Sequence, residues 1–240
     1  MTLVVLDAAG TLIEVRGSVG EAYAEAARAA GAELDPARIE AGFARAWPDS
    51  PPLAFGGLPP AERRVAERAW WRDVARRAVA AADPPSEFDF DAFFDRAWER
   101  FAQRAAWRIF PDVGPALRAL RRGGFPLAVF SNWDGRLPGL LDAFGLGGFF
   151  ARVRASADLP AAKPAREAFD AVAAELAGLA GGEPPVLVGD RLDHDVEPAL
   201  AAGWRAVWLD RGGLGGPAPD GAVRIADLSE VPAALAAPVP

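Results

Sequence analysis

Four short stretches carry residues that could do chemistry together. Asp7 follows the apolar run Leu3–Leu6 and is followed by Gly10 and Thr11. Ser131-Asn132 follows the apolar run Leu127–Phe130, Lys163-Pro164 opens a helical pattern, and Gly189-Asp190, with Asp193 and Asp195 behind it, follows Val186–Val188. Singly, these are residues that turns, helix caps and solvated surfaces use; Asp195 reads on its own as the N-cap of the next helix. Jointly they make a nucleophilic carboxylate, a hydroxyl, one cation and an acidic cluster, which is the set phosphoryl transfer needs. The carboxylate attacks phosphorus, acids hold a hard cation against the oxygens, and fixed donors hold the transferring group. Mg2+ takes oxygen ligands and retains waters, which suits Asp7 with Asp190.

Composition narrows the alternatives. The 240 residues, 51% hydrophobic and 25% charged, contain no cysteine and one histidine, His194. Disulfides, cysteine nucleophiles, cysteine–zinc sites and iron–sulfur clusters are therefore excluded, and a Ser–His–Asp triad could only be built around His194. Every basic residue but Lys163 is arginine, so any step that needs a lysine must use Lys163. The net charge of −7 and the absence of a dominant basic patch argue against nucleic acid as a partner. The N-terminus lacks a cationic signal region, and no apolar run approaches the ~20 residues of a membrane span. The expectation is a cytoplasmic protein with no membrane partner, monomeric by default and with a homodimer as the alternative.

The elements that must position these residues follow from texture. Leu3–Leu6 reads as a buried parallel strand. From Val19 to about Arg104, alanine, arginine, glutamate and aromatics recur at helical spacing, broken by a Pro/Gly-rich stretch at Pro48–Pro60 that reads as a flexible loop. Beyond Pro111 strands and helices alternate: helix Val113–Arg122, strand Leu127–Phe130, strand Val153–Ala155, helix Pro164–Leu179, strand Val186–Val188 and helix Val196–Ala202. Strands Ala206–Leu209 and Val223–Ile225 follow, with a Gly/Pro loop at Gly212–Pro219 between them, and a helix at Leu228–Leu235 ends the pattern. Single helices between strands predict an α/β fold with a doubly wound parallel, Rossmann-like sheet, interrupted after its first strand by an all-helical insertion. The expected domains are an α/β core at 1–16 and 108–240 and a helical cap at 17–107. Asp7, Ser131 and Asp190 then all fall at the C-terminal strand edge, where open α/β sheets bind ligands. Trp70, Trp71, Trp98 and Trp107 read as core of the helical block, and His194 as a loop residue.

The ordered motifs resemble those of the haloacid dehalogenase (HAD) superfamily. Asp7-Ala-Ala-Gly-Thr-Leu12 resembles its first motif, Val129-Phe-Ser-Asn132 the second, Lys163-Pro164 the third, and Val188-Gly-Asp-Arg-Leu-Asp-His-Asp195 the fourth. Gly17-Ser-Val-Gly-Glu-Ala-Tyr23 and Ala69-Trp-Trp-Arg-Asp-Val74 further resemble the branch of haloacid dehalogenase-like hydrolase domain-containing proteins. The resemblance implies Asp7 as a nucleophile that becomes a phosphoaspartate, and Thr11, Ser131, Asn132 and Lys163 as the residues that bind the transferring group of a small phosphorylated substrate. It implies a Mg2+ site made of Asp7, the backbone carbonyl of Ala9, Asp190 and Asp195.

One position departs from that pattern. Phosphatases of the superfamily carry a second Asp two residues after the nucleophile, as general acid and base; here that residue is Ala9. General acid–base groups contribute about 10²–10⁴-fold, so alkyl phosphates are expected to be poor substrates. Phosphonoacetaldehyde hydrolases also have Ala there but need a cap lysine for a Schiff base, and the helical block has none. The L-2-haloacid dehalogenases resemble Asp7-Ala-Ala-Gly-Thr11 closely but use no metal, and Asp190 beside Asp7 would repel a haloacid carboxylate. A phosphatase-like hydrolase, a catalytically weak binding or regulatory protein, and a 2-haloacid dehalogenase are the three readings, in that order.

Overall fold

The computed structural model describes residues 2–213 and 215–236; Leu214, within the Gly/Pro loop at Gly212–Pro219, lies outside them. In chain order the elements begin with β1 (Val4–Leu6), β2 (Ile13–Val15), α1 (Val19–Ala29), α2 (Pro36–Ala46), α3 (Pro60–Ala80) and α4 (Phe90–Phe101). They continue with β3 (Trp107–Ile109), α5 (Val113–Arg122), β4 (Leu127–Ser131), α6 (Leu137–Ala143), β5 (Arg152–Ala155) and α7 (Arg166–Leu176). The last are β6 (Val186–Gly189), α8 (Glu197–Ala201), β7 (Arg205–Leu209), β8 (Ala222–Ile225) and α9 (Val231–Ala236). The chain divides into two compact units, residues 1–14, 53–59 and 109–240, and residues 15–52 and 60–108.

The first unit is a six-stranded parallel sheet in the order β5-β4-β1-β6-β7-β8, flanked by helices. β1 lies between β4 and β6, with Leu6 paired to Val129 on one side and to Val188 on the other. The order reverses at β1, which makes its C-terminal end the topological switch point of the sheet. β1 is apolar at every position because it is buried on both faces. One face packs Leu3, Val5, Ala128 and Phe130 against Phe169 and Val172 of α7 and against Trp204. Phe169 meets Phe130 and Trp204 edge to face, with centroids 5.5 Å away in each case. Each such buried aromatic contributes roughly 1.5–3 kcal/mol, which fixes α7 and the loop that precedes it.

Three expectations change in this unit. The helix expected at Pro164 starts at Arg166; Pro164 lies before it, joined to Lys163 by a cis peptide bond. The helix expected at Val196 is entered through a π-helical turn, Leu192–Val196, and Asp195 sits inside that turn rather than capping the helix. Its carboxylate is committed elsewhere, accepting from Lys163 Nζ and from the Arg191 backbone N–H (3.1 Å). The Pro/Gly stretch expected to be a flexible part of the helical insertion contributes Leu53–Pro59 to the α/β unit. Ser156 Oγ donates to the Leu53 carbonyl (2.6 Å), while Phe55 and Gly56 donate to Ala157 and Leu159 carbonyls (3.1 and 2.9 Å).

The second unit is helical, built on Tyr23 and Ala27 of α1, Ile39 of α2, Ala75 and Ala78 of α3 and Phe93 of α4. Gly42 of α2 is required by a close helix crossing, since a Cβ there would overlap the Ala78 carbonyl. Facing α4, arginines take the place of aliphatic residues on α3. Arg68, Arg72 and Arg76, each one turn apart, lie over Phe94, Phe90 and Phe90 with guanidinium carbons 5.0, 5.0 and 4.0 Å from the ring centroids. Such contacts are worth about 0.5–2 kcal/mol each. Trp71 and Trp98 pack against this core, Trp70 donates to the Pro51 carbonyl (2.8 Å), and Trp107 donates to the Phe101 carbonyl (3.0 Å). β2 and β3 pair as a separate two-stranded sheet. Among the described residues no helix is long and apolar enough to cross a membrane.

Candidate active site

The site is built at the C-terminal edge of the sheet, from the ends of β1, β4 and β6 and from the loop before α7. Asp7 continues the β1 ladder by donating its backbone N–H to the Val188 carbonyl (2.9 Å), which brings its side chain out at the strand end. The chain then turns tightly: Leu12 and Ile13 both donate to the Ala8 carbonyl (2.8 and 3.0 Å), and Gly10 donates to that of Ile13 (2.9 Å). Gly10 has φ +79°, and a Cβ there would run into the Asp190 carboxylate, so both backbone geometry and space demand glycine. Thr11 Oγ1 donates to Asp190 Oδ1 (3.1 Å), and the Ser131 hydroxyl hydrogen-bonds Asp7.

Lys163 joins these elements. Its ammonium donates to Asp7 Oδ1 (2.7 Å), to Asp195 Oδ1 and to the Phe130 carbonyl (3.2 Å), and the residue is 3% exposed. Three donors thus meet three acceptors, and rotation of the Asp7 carboxylate is set by the bond to Oδ1. Asn132 holds the lysine in place. Its Nδ2 donates to the Lys163 carbonyl (2.7 Å) and its Oδ1 accepts from the Lys163 N–H (2.9 Å), so both ends of an amide expected to contact substrate are committed to backbone. Asp193 stays outside the cluster, paired with Arg191 and 3.1 Å from His194 Nδ1. Ala9 is exposed, and its methyl group can neither give nor take a proton. Arg211, which bonds the Gly10 and Thr11 carbonyls, and Asp112, which pairs with Arg211, carry no local sequence signal of these roles.

Electrostatically the site has an excess of negative charge. Oxygen atoms of Asp7, Asp190 and Asp195 all lie within 4.8 Å of one another, and Lys163 is the ammonium among them. Burial pushes Asp7 above the ordinary carboxylate range, with Lys163 opposing and Asp195 reinforcing the shift. Burial, then Asp7 and Asp195, push Asp190 up to about 7. Burial alone would lower Lys163, but the two carboxylates outweigh it and hold the ammonium charged. An all-oxygen donor set carrying uncompensated charge fits a hard divalent cation such as Mg2+. Because Asp190 has a folded-state value raised above 3.8, its contribution to stability is fully present below that pH and lost as pH rises toward and through about 7. In EDTA, the melting temperature is therefore expected to fall between pH 5 and pH 8 by more than about 5 °C, with Asp190→Asn flattening the fall. Added Mg2+ should raise it more at pH 8 than at pH 5. Equal cation shifts at both pH values would remove these carboxylates as the cation's ligands.

Residues 1–203 match the haloacid dehalogenase-like hydrolase family. The human haloacid dehalogenase-like hydrolase domain-containing protein 3 is 32% identical over 204 residues, covering 84% of this chain and 78% of that protein. A phosphoserine phosphatase of Thermus thermophilus is 34% identical over 138 residues, covering 55% of this chain and 53% of its own. The solved 2-haloacid dehalogenase of Pseudomonas syringae superposes with a TM-score of 0.65 at 26% identity, covering 98% of both chains. The match takes in the strands whose ends carry Asp7, Ser131 and Asp190, and it spans most of the chain: this chain is a hydrolase of the haloacid dehalogenase superfamily.

Proposed function

We propose that the protein is a Mg2+-dependent phosphohydrolase that acts through a phosphoaspartate on Asp7 and favours small phosphorylated substrates with good leaving groups. The observation that carries this reading is the convergence of Asp7, Asp190 and Asp195 around a single buried lysine. Three carboxylates suit a cation and, through that cation, a phosphoryl group; without a cation, as in the dehalogenase reading, they would repel the carboxylate of a haloacid. When bound by Asp7, Asp190, Asp195 and the Ala9 carbonyl, Mg2+ would neutralise charge on the transferring oxygens.

The chain's own residues supply the remaining steps. Asp7 attacks phosphorus as the phosphorus–leaving-oxygen bond breaks, giving an acyl phosphate on its carboxylate. Thr11, Ser131 and Lys163 hold the phosphoryl oxygens. Water then attacks phosphorus, releasing inorganic phosphate and restoring Asp7. No side chain at position 9 can protonate the leaving oxygen, so that oxygen departs as an anion; aryl and acyl phosphates tolerate this and alkyl phosphates do not. Ala9 is also the observation that favours a second reading, a fold kept for binding with little turnover.

A single screen separates the readings. Phosphate release is measured with and without Mg2+ across alkyl, aryl and acyl phosphates, and halide release with 2-chloropropionate. Mg2+-dependent release favouring aryl or acyl phosphates is expected. Metal-independent chloride release would replace the proposal with a dehalogenase, and Mg2+ binding with no turnover would leave a binding protein.

A further inference from the structure

The turn that carries Ala9, Gly10 and Thr11 is held from its outer side by a residue 200 positions along the chain. Arg211 follows β7, two strands away from β1 in the sheet. Its NH2 donates to the Thr11 carbonyl (2.8 Å), its Nε to the Gly10 carbonyl (3.3 Å) and its NH1 to Asp112 Oδ2 (2.8 Å). The guanidinium carbon lies 3.9 Å from the centroid of Phe110. Asp112 Oδ2 also accepts from the Leu228 N–H (2.8 Å), so the acid that orients Arg211 is itself tied to the segment before α9. All three guanidinium nitrogens are used, two of them on consecutive carbonyls of the turn that bears the site. A lysine could reach one of these acceptors, but it cannot present a fixed fork to all of them or stack on the ring.

We propose that Arg211 is a positioning residue for the reaction at Asp7. By gripping the Gly10 and Thr11 carbonyls it sets the Ala9–Thr11 turn, and with it the Ala9 carbonyl and the Thr11 hydroxyl that meets Asp190. Arg211 lies beyond residue 203, where the family match ends. The proposal rests on the phosphohydrolase reading for its turnover measurement, and on cation binding by the three carboxylates for its Mg2+ titration.

The test compares Arg211→Ala and Arg211→Lys with the parent chain in melting temperature, in half-saturating Mg2+ read from melting-temperature titrations, and in kcat and KM. Loss of a residue that orients ligands typically costs 10–100-fold, so Arg211→Ala is expected to raise half-saturating Mg2+ and lower kcat by about that factor, with KM changed less than about threefold. Arg211→Lys keeps a charge partner for Asp112 and should recover most of the melting temperature, yet remain defective in kcat and Mg2+ binding. Recovery of all three together would reduce Arg211 to a structural ion pair and overturn the proposal. So would a folded Arg211→Ala chain with kcat and half-saturating Mg2+ within about threefold of the parent. If Arg211→Ala fails to fold, Arg211→Lys decides by the same criteria. If the parent turns over no phosphate ester, the phosphohydrolase reading fails, and the Mg2+ titration alone decides the role of Arg211.

Discussion

Asp7→Asn is expected to reduce phosphate release by at least about 10⁴-fold, the scale on which loss of a nucleophile is felt. The substitution is nearly isosteric, and the amide oxygen can still accept from Lys163 Nζ, which donates to Asp7 Oδ1 at 2.7 Å in the parent. What disappears is the anionic oxygen that attacks phosphorus. The fold should survive, because the change relieves a buried carboxylate whose pKa is already raised by burial. Melting in EDTA should therefore be unchanged or higher, while the Mg2+-induced rise shrinks with the loss of one charged ligand. These two signs separate lost chemistry from lost structure. Activity retained within tenfold in a folded Asp7→Asn chain would remove the phosphoaspartate, and with it the assignment of Thr11, Ser131 and Lys163 as phosphoryl-binding residues.

Most of this site was legible because the α/β fold converts sequence order into position. Apolar runs ending in Asp7, Ser131 and Gly189-Asp190 become neighbouring strands, and parallel pairing puts all their polar ends on one edge. Lys163 stood out through scarcity, and the structure puts it against Asp7 and Asp195. What stayed hidden depends on contacts that local pattern does not encode. Arg211 is one of many arginines, and nothing within its neighbourhood in the chain indicates that it bonds Gly10 and Thr11. The role of Asp195 as an N-cap was a sound local inference that a long-range partner overrode. Leu53–Pro59 has the Pro/Gly texture of a free loop, yet its backbone finds donors and acceptors in Ser156–Leu159. β2 and β3, three residues each, are too short to carry an alternating signature. In α3 the apolar stripe is diluted by arginines that pack through their guanidinium faces on Phe90 and Phe94, a use of charge that hydrophobic periodicity reads as solvent.

The opposite change, Ala9→Asp, is expected to raise activity. Ala9 is exposed, so a carboxylate there requires no repacking, and the following Gly10 preserves the turn. Near Asp7 and Asp190 the added acid would share their excess negative charge, which favours its protonated form and so its use as a general acid. A proton donor matters in proportion to the basicity of the leaving oxygen. Alkyl phosphate hydrolysis should therefore gain about 10²–10⁴-fold, and hydrolysis of p-nitrophenyl phosphate, whose leaving group needs little help, much less. The decisive quantity is the slope of log kcat/KM against leaving-group pKa. It should be steep in the parent, where the oxygen leaves as an anion, and shallow in Ala9→Asp. Ala9→Asn supplies the size of the new side chain without its proton and should keep the steep slope. If Ala9→Asp leaves the slope unchanged, leaving-group protonation does not limit the parent enzyme, and the preference for aryl and acyl phosphates loses its physical basis.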